Sequence, residues 1–172
     1  MKQIETERKY IIVKPNSSVL KKQKNYTESQ ILQIYLNDDE QTHRIRKRVF
    51  TDGRTEYTEN TKKRISLLSS LEIENNIDFE QFEALRKNIE PLSRPIEKTR
   101  ITFEFLGKTF EIDVYPEWKY TCILEVELDS ENEKIEFPKF IKIIADVTGK
   151  KEYSNHRMSH AFPDERAFDS KC

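Results

Sequence analysis

The segment Ile4-Glu5-Thr6-Glu7-Arg8-Lys9-Tyr10 holds the residues whose types and spacing are best suited to chemistry. In a β-strand, side chains alternate between faces with a period of two. Glu5, Glu7 and Lys9 therefore share one face, and Ile4, Thr6, Arg8 and Tyr10 share the other. Two carboxylates about 7 Å apart along a strand can share a hard cation such as Mg²⁺. A lysine beyond them can meet an anion that the cation brings in. Alone the pattern is weak. The chain has 22 Glu and 19 Lys in 172 residues, so chance yields Glu-x-Glu-x-Lys roughly 0.3 times. An amphipathic edge strand with a solvated face would read the same way. What decides is that the same alternation recurs along the chain.

The elements that must carry these faces are mostly strands. The first spans 3–13, and Ser17 or Ser18 caps a short helix to about 24. Strands follow at 29–36, 42–50, 55–65 and 69–77, with a hairpin turn at Thr51-Asp52-Gly53. Asp78 is an N-cap for a helix from 79 to about 89, whose Phe79, Phe82, Leu85 and Ile89 fall on one face and pack in a core. Strands at 95–106, 109–115 and 121–129 come next. Pro138, Phe140, Ile141 and Ile144 predict a helix to about Val147, with Gly149 as its stop. Partly helical chain follows from Tyr153, and residues 163–172 read as a polar tail on a single domain spanning 1–172.

Composition narrows the classes. Hydrophobic and charged residues each make up 35% of the chain, which is apolar-poor for a globular protein. Aromatics at 10% and clear strand patterns argue against disorder. Charge must therefore occupy an interior surface as well as the exterior. A net charge of −1 gives no bulk attraction to nucleic acid or an anionic membrane. Neither a membrane-length apolar run nor a leader's apolar core is found. Cys122 and Cys172 make no metal spacing or disulfide framework, which suits a reducing, cytoplasmic compartment. The chain has three glycines, Gly53, Gly107 and Gly149, so their spacing excludes a glycine-rich phosphate loop. Any phosphate must be held by side chains.

The charged faces collect Glu5, Glu7, Glu72, Glu74, Glu111, Asp113, Glu125 and Glu127 against Lys9, Arg44, Arg46, Arg48, Lys62, Lys98 and Arg100. A closed antiparallel barrel under covering helices can turn these faces inward. Burying that many charges requires that they be paired, hydrated or bound to ligand. Both signs in near balance suit a metal–polyphosphate ligand, with carboxylates on the metal and Arg and Lys on phosphate oxygens.

At this point the sequence resembles a known family. Glu5-x-Glu7-x-Lys9 resembles the N-terminal signature of the CYTH superfamily, the triphosphate tunnel metalloenzymes. The resemblance runs in order through Gln33-Ile34-Tyr35-Leu36, Arg44-Ile45-Arg46, Thr61-Lys62, Glu72-Ile73-Glu74, Glu97-Lys98-Thr99-Arg100, Glu111-Ile112-Asp113, Glu125-Val126-Glu127 and Val147-Thr148-Gly149 with Tyr153-Ser154-Asn155. It implies an α+β fold, an eight-stranded antiparallel β-barrel with helices packed outside. It also implies Mg²⁺- or Mn²⁺-dependent chemistry on a triphosphate. Glu5, Glu7 and Glu127 then resemble ligands of a principal metal. Glu72, Glu74, Glu111, Asp113 and Glu125 resemble the rest of an acidic wall, for a second metal or the attacking water. Arg44, Arg46, Lys62, Lys98 and Arg100 resemble the phosphate-binding wall, with Lys9 near both metal and phosphate. A Lys9–Tyr35 pair would tune substrate range.

The Gln-x-Tyr-Leu form of the second strand is similar to the short bacterial inorganic triphosphatases. Two positions depart from the pattern: Glu152 stands where members often carry a basic residue, and Ile34 where this subgroup often has glycine. The expected activity is hydrolysis of tripolyphosphate, a small-molecule substrate. Rivals are a nucleoside or thiamine triphosphatase, an adenylate cyclase, a non-catalytic polyphosphate-binding module and a plain barrel interaction domain. Family members are often homodimers. His43, His156 and His160 read as surface or structural residues, and Tyr115, Trp118 and Tyr120 as packing at a strand end.

Overall fold

Alternation of charged and apolar residues builds most of this molecule, and the computed structural model describes residues 2–171. In order the chain forms β1 (Lys2–Val13), α1 (Ser17–Leu20), β2 (Lys24–Leu36), β3 (Thr42–Phe50), β4 (Thr55–Arg64) and β5 (Ser69–Asn76). Then come α2 (Phe79–Arg86), β6 (Ile96–Phe105), β7 (Lys108–Val114), β8 (Thr121–Glu127), β9 (Ile143–Asp146) and α3 (Asn155–His160). Short 3₁₀ turns at Lys151–Tyr153 and Glu165–Lys171 flank α3.

The strands run β5-β4-β3-β2-β6-β7-β8-β1-β9, and β1 also pairs with β5. That pairing closes an eight-stranded antiparallel barrel, with β9 as an extra strand. Closure removes the open edges that a sheet of this length would otherwise present. β1 is the seam. Its first half pairs with β5 (Glu5 opposite Ser70), and its second half pairs with β9 (Ile11 opposite Ala145) on the same edge. Its other edge holds β8 through Glu7–Val13. The β6–β7 hairpin turns through Leu106 and Gly107, both at positive φ (49° and 77°), the backbone a two-residue hairpin requires.

The apolar face points outward and is covered. Ile34, Leu36 and Ile45 lie under Phe82 of α2. Burying that phenylalanine contributes about 1.5–3 kcal/mol. Tyr10, Ile12, Phe103, Phe110, Leu124 and Val126 are covered by Leu20 of α1 and by Phe137, Phe140 and Ile141. Inside the barrel the alternation changes character at one end. Ile11, Tyr35, Ile96, Tyr115 and Ile123 follow the inward charged positions and form an apolar floor with Trp118, Met158 and Phe168.

Several expectations need correction. The region expected as a helix from Pro138 forms turns and then β9, because β1 leaves an edge unpaired where β5 diverges. A tertiary strand partner outweighs the local helical spacing. α2 is shorter than read. Phe82 is fully buried, but Phe79 is exposed and Ile89 lies beyond the helix. α1 is capped by Asn16, whose side chain accepts from the Ser18 N–H, not by Ser17 or Ser18. β2 starts five residues earlier than expected, at Lys24, where its register faces the long β6 and Lys24 pairs with Glu104 at 2.5 Å. Residues 163–168 dock on the body. Glu165 accepts from the backbone N–H groups of Lys119, Tyr120 and Thr121, and Phe168 is buried against Trp118. Tyr120 is exposed, while Tyr115 and Trp118 are buried. Cys122 is buried and free, and Cys172 lies outside the described residues.

Candidate active site

The inward side chains line a cavity of about 1580 Å³. Its wall divides by sign, and strand order explains why. β7, β8, β1 and β5 are neighbours and bring Glu111, Glu125, Glu127, Glu5, Glu7, Glu72 and Glu74. β4, β3, β2 and β6 are the other contiguous half and bring Lys62, Arg44, Arg46, Arg48, Lys98 and Arg100, with Gln33 and Tyr35 between them. Lys9 is a base projecting from β1 into the acidic half.

The two halves are stitched at their seams. At β4/β5, Lys62 pairs with Glu72, Arg44 with Glu72 at 3.2 Å, and Arg46 with Glu74 at 2.6 Å. At β6/β7, Arg100 Nε and Nη2 each donate to Asp113 at 2.7 Å, and Arg100 also meets Glu111 and, at 2.9 Å, Glu125. Lys98 Nζ donates to Asp113 at 2.5 Å. Lys9 Nζ reaches Glu125 at 2.6 Å. Thr148 fixes that lysine from behind. Its hydroxyl accepts from the Lys9 N–H at 3.0 Å, and the Val147 N–H donates to the Lys9 carbonyl at 2.9 Å. The turn that presents Thr148 needs Gly149, which sits at φ +74° with Leu67 Cδ1 2.3 Å from where a Cβ would stand.

Charge balance sets protonation. Burial, then the neighbouring Glu72, pushes the Glu5 carboxyl up to about 7. Burial also opposes ionisation of Glu72, but Arg44 and Lys62 outweigh it and hold that carboxyl down at about 2. Glu111 is raised by burial, with Glu125, Asp113 and Glu127 adding to it against Arg100. Burial likewise works against Glu125, but Lys9 and Arg100 hold it well below the carboxylate range. Burial, then Arg100, lowers the Lys98 ammonium to about 8. The buried Tyr35 phenol is pushed up to about 12, so it remains a neutral hydroxyl. Gln33 Nε2 donates to that hydroxyl at 2.5 Å.

Carboxylates also face one another across paired strands. In the antiparallel register Glu7 lies opposite Glu127, and Glu111 opposite Glu125. Like charges directly opposite are destabilising. Glu125 and Glu111 are offset by Arg100 and Lys9. Among the described residues, Glu7 has one ion-pair partner, Lys62 at 3.9 Å, and Glu127 has none. On the basic side, Arg44 Nε is a buried donor without a partner.

Among the expected site residues, the fold brings all but Asp113 to the cavity wall. Asp113 is fully buried behind the wall, and both its oxygens are held by Lys98 and Arg100. Its place is that of a residue positioning those two cations. Arg48 does reach the cavity, held by Ser29 at 2.9 Å and lying over Phe50. Glu56 pairs with Arg54 in the hairpin. Glu152 does line the cavity, together with Lys151 and Arg157, so cations are still present at that mouth. Sequence reading took His156 and His160 as surface or structural residues; His160 is exposed, His156 half-buried, and both lie against Glu90. Their spacing of four on a helix was the available signal.

No protein-family model matches the chain, and no curated protein matches it. Solved structures do. The inorganic triphosphatase NE1496 is 27% identical, over 92% of this chain and 99% of that one, with a TM-score of 0.58. The fold alone is shared with PH1012 from Pyrococcus horikoshii OT3, at 16% identity over 74% of this chain and 80% of that one (TM-score 0.54). It is shared too with HpAC1 from Hippeastrum, a protein with a dominant triphosphatase activity, at 13% identity over 72% and 80% (TM-score 0.50). The shared fold, and the likeness to an inorganic triphosphatase over nearly the whole chain, agree with the resemblance to the CYTH, or triphosphate tunnel, superfamily. In this chain the tunnel has an acidic half, a basic half and an apolar floor. Among the described residues, no helix is long and apolar enough to cross a membrane.

Proposed function

We propose that the protein hydrolyses inorganic triphosphate to pyrophosphate and phosphate, using Mg²⁺ or Mn²⁺. The observation that carries this reading is the divided wall: four contiguous acidic strands facing four contiguous basic ones around one cavity. A linear polyanion with its counter-cation fits both halves at once. The similarity to the inorganic triphosphatase NE1496 over nearly the whole chain supports it. So does the lining, whose only rings among the described residues are Tyr35 and His156. The Tyr35 ring is packed into the apolar floor and against His156, which leaves little face on which a nucleobase could stack.

The acidic half fits a hard divalent cation. Glu7 and Glu127 face each other with Lys62, 3.9 Å from Glu7, as the nearby cation, and burial beside Glu72 raises Glu5 to about 7, where a cation competes with its proton. Glu5, Glu7 and Glu127, supported by Glu72, Glu74, Glu111 and Glu125, are the residues that would hold it. When bound, such an ion polarises phosphoryl oxygens and water and offsets developing charge. The chain's own residues do the rest. Arg44, Arg46, Lys62, Lys98 and Arg100 bind and align the phosphate oxygens, and the partnerless Arg44 Nε gains an acceptor from the anion. Asp113 keeps Lys98 and Arg100 aimed. Lys9, held by Thr148, projects from the acidic half into the cavity and can contact a terminal phosphate. Tyr35 offers a neutral hydroxyl at the floor. Phosphoryl transfer needs chiefly positioning and electrostatic stabilisation, and this wall is arranged for both. The buried free thiol of Cys122 suits a reducing cytoplasm. The test is phosphate release from tripolyphosphate with Mg²⁺, with Mn²⁺ and with chelator, for the native chain and Glu7→Gln. Metal-dependent release that disappears in a folded Glu7→Gln variant is expected. Release that persists with chelator would overturn the reading.

A further inference from the structure

Outside the tunnel chemistry, one side-chain cluster is built like a metal site. Glu90, from the connection between α2 and β6, faces two histidines of α3. His156 Nε2 lies 2.7 Å from Glu90 Oε2, and His160 Nε2 lies 3.3 Å from Glu90 Oε1. The two histidines are one helical turn apart, and their rings stand at 80° with centroids 5.5 Å apart. One donor atom from each of the three residues lies within 4.8 Å of the others. Donors on a tetrahedral zinc ion with Zn–N of ~2.1 Å sit about 3.4 Å apart, so small side-chain rotations complete the set. Two imidazoles and one carboxylate, with a fourth position open, suit a borderline transition ion far better than Mg²⁺.

We propose that Glu90, His156 and His160 bind a divalent transition metal of the Zn²⁺ class, at a site distinct from the tunnel carboxylates. The surroundings hold the ligands in place. The Glu90 N–H donates to the Tyr35 carbonyl at 2.9 Å, and the Arg94 N–H donates to the Ser159 carbonyl at 2.8 Å. These bonds tie the Glu90 loop to both β2 and α3. The His156 ring also leans on the Tyr35 ring, with centroids 4.9 Å apart, and lines the cavity. An ion here clamps α3 to the barrel and fixes the tunnel wall beside Tyr35. It is a structural clamp adjoining the active site, and it takes no part in the hydrolysis.

The two kinds of site have different spectroscopic signatures. Co²⁺ held by two imidazoles and a carboxylate in a four-coordinate site gives intense visible d–d absorption. Co²⁺ on tunnel carboxylates and water is six-coordinate and nearly colourless. Chelator-stripped full-length protein is titrated with Co²⁺ in the presence of saturating Mg²⁺, then with Zn²⁺ in competition. The expected result is one intensely coloured Co²⁺ per chain, displaced by Zn²⁺, and a Zn²⁺-dependent rise in melting temperature. In His160→Ala and His160→Gln the colour disappears and Zn²⁺ affinity falls at least about tenfold, while far-UV circular dichroism and Mg²⁺-dependent turnover hold. Weak six-coordinate spectra in the native chain, or an intense spectrum unchanged in folded His160 variants, would overturn the proposal.

Discussion

Asp113→Asn separates a positioning residue from a metal ligand. The substitution is isosteric, so it opens no cavity. It removes the charge that neutralises Lys98 Nζ at 2.5 Å and two nitrogens of Arg100 at 2.7 Å, all of them buried. Removing one partner of a buried ion pair costs about 3–5 kcal/mol. Arg100 keeps Glu111 and Glu125, which puts the loss near ~3 kcal/mol. For a chain of 172 residues, that loss lowers the melting temperature by about 6–12 °C. Thermal and urea unfolding at neutral pH measure the loss, and metal affinity is measured in parallel. The positioning role requires lower stability and weaker tripolyphosphate binding with Mg²⁺ affinity nearly kept. A change under ~1 kcal/mol, together with lost Mg²⁺ affinity, would refute the reasoning and return Asp113 to the ligand set.

Other outcomes follow from the same geometry. Glu7→Gln should lower kcat/KM on the order of 10²–10³-fold and leave the melting temperature within a few degrees, as read by steady-state kinetics and calorimetry. Glu5, raised to about 7 in the fold, keeps a proton that the unfolded chain releases near its ordinary carboxylate pKa. Its contribution to metal-free stability therefore declines as pH rises from about 4.5 to about 7. Glu72, lowered to about 2, acts in the opposite sense, and its contribution is lost as pH falls from about 4.5 toward 2. A cation must displace the Glu5 proton, so Mg²⁺ affinity rises with pH up to about 7 with proton release, which calorimetry in buffers of different ionisation enthalpy measures. Gly149→Ala is strained both by φ +74° and by the approach to Leu67. It should cost about 1–3 kcal/mol and weaken turnover through the Thr148 hold on Lys9.

Much of the fold is legible in the sequence because strand alternation reports burial directly. Glu5/Glu7, Glu72/Glu74 and Glu125/Glu127 each mark the charged face of a strand, and closure of the barrel turns that face inward. What the alternation cannot report is which strands become neighbours. The segregation of acid from base depends on the β2–β6 pairing, which joins Gln33 to Ile96 and Ser29 to Arg100 across long stretches of chain. Asp113 shares its face with Glu111, so spacing alone places it on the acidic face, and only the three-dimensional structure shows it buried against Lys98 and Arg100. β9 was hidden because its apolar residues also fit a helix, and the open edge of β1 exists only in three dimensions. The apolar floor follows the same logic, since Ile11, Tyr115 and Ile123 continue charged faces and meet Met158 and Phe168 from distant segments.

The most direct test of the central claim is a competition read by ³¹P nuclear magnetic resonance, with tripolyphosphate and ATP at equal concentration in one tube with Mg²⁺. The account predicts that tripolyphosphate is consumed first, to pyrophosphate and phosphate in equal amounts, with ATP largely intact. Faster consumption of ATP, to ADP or to a cyclic nucleotide with pyrophosphate, would contradict it.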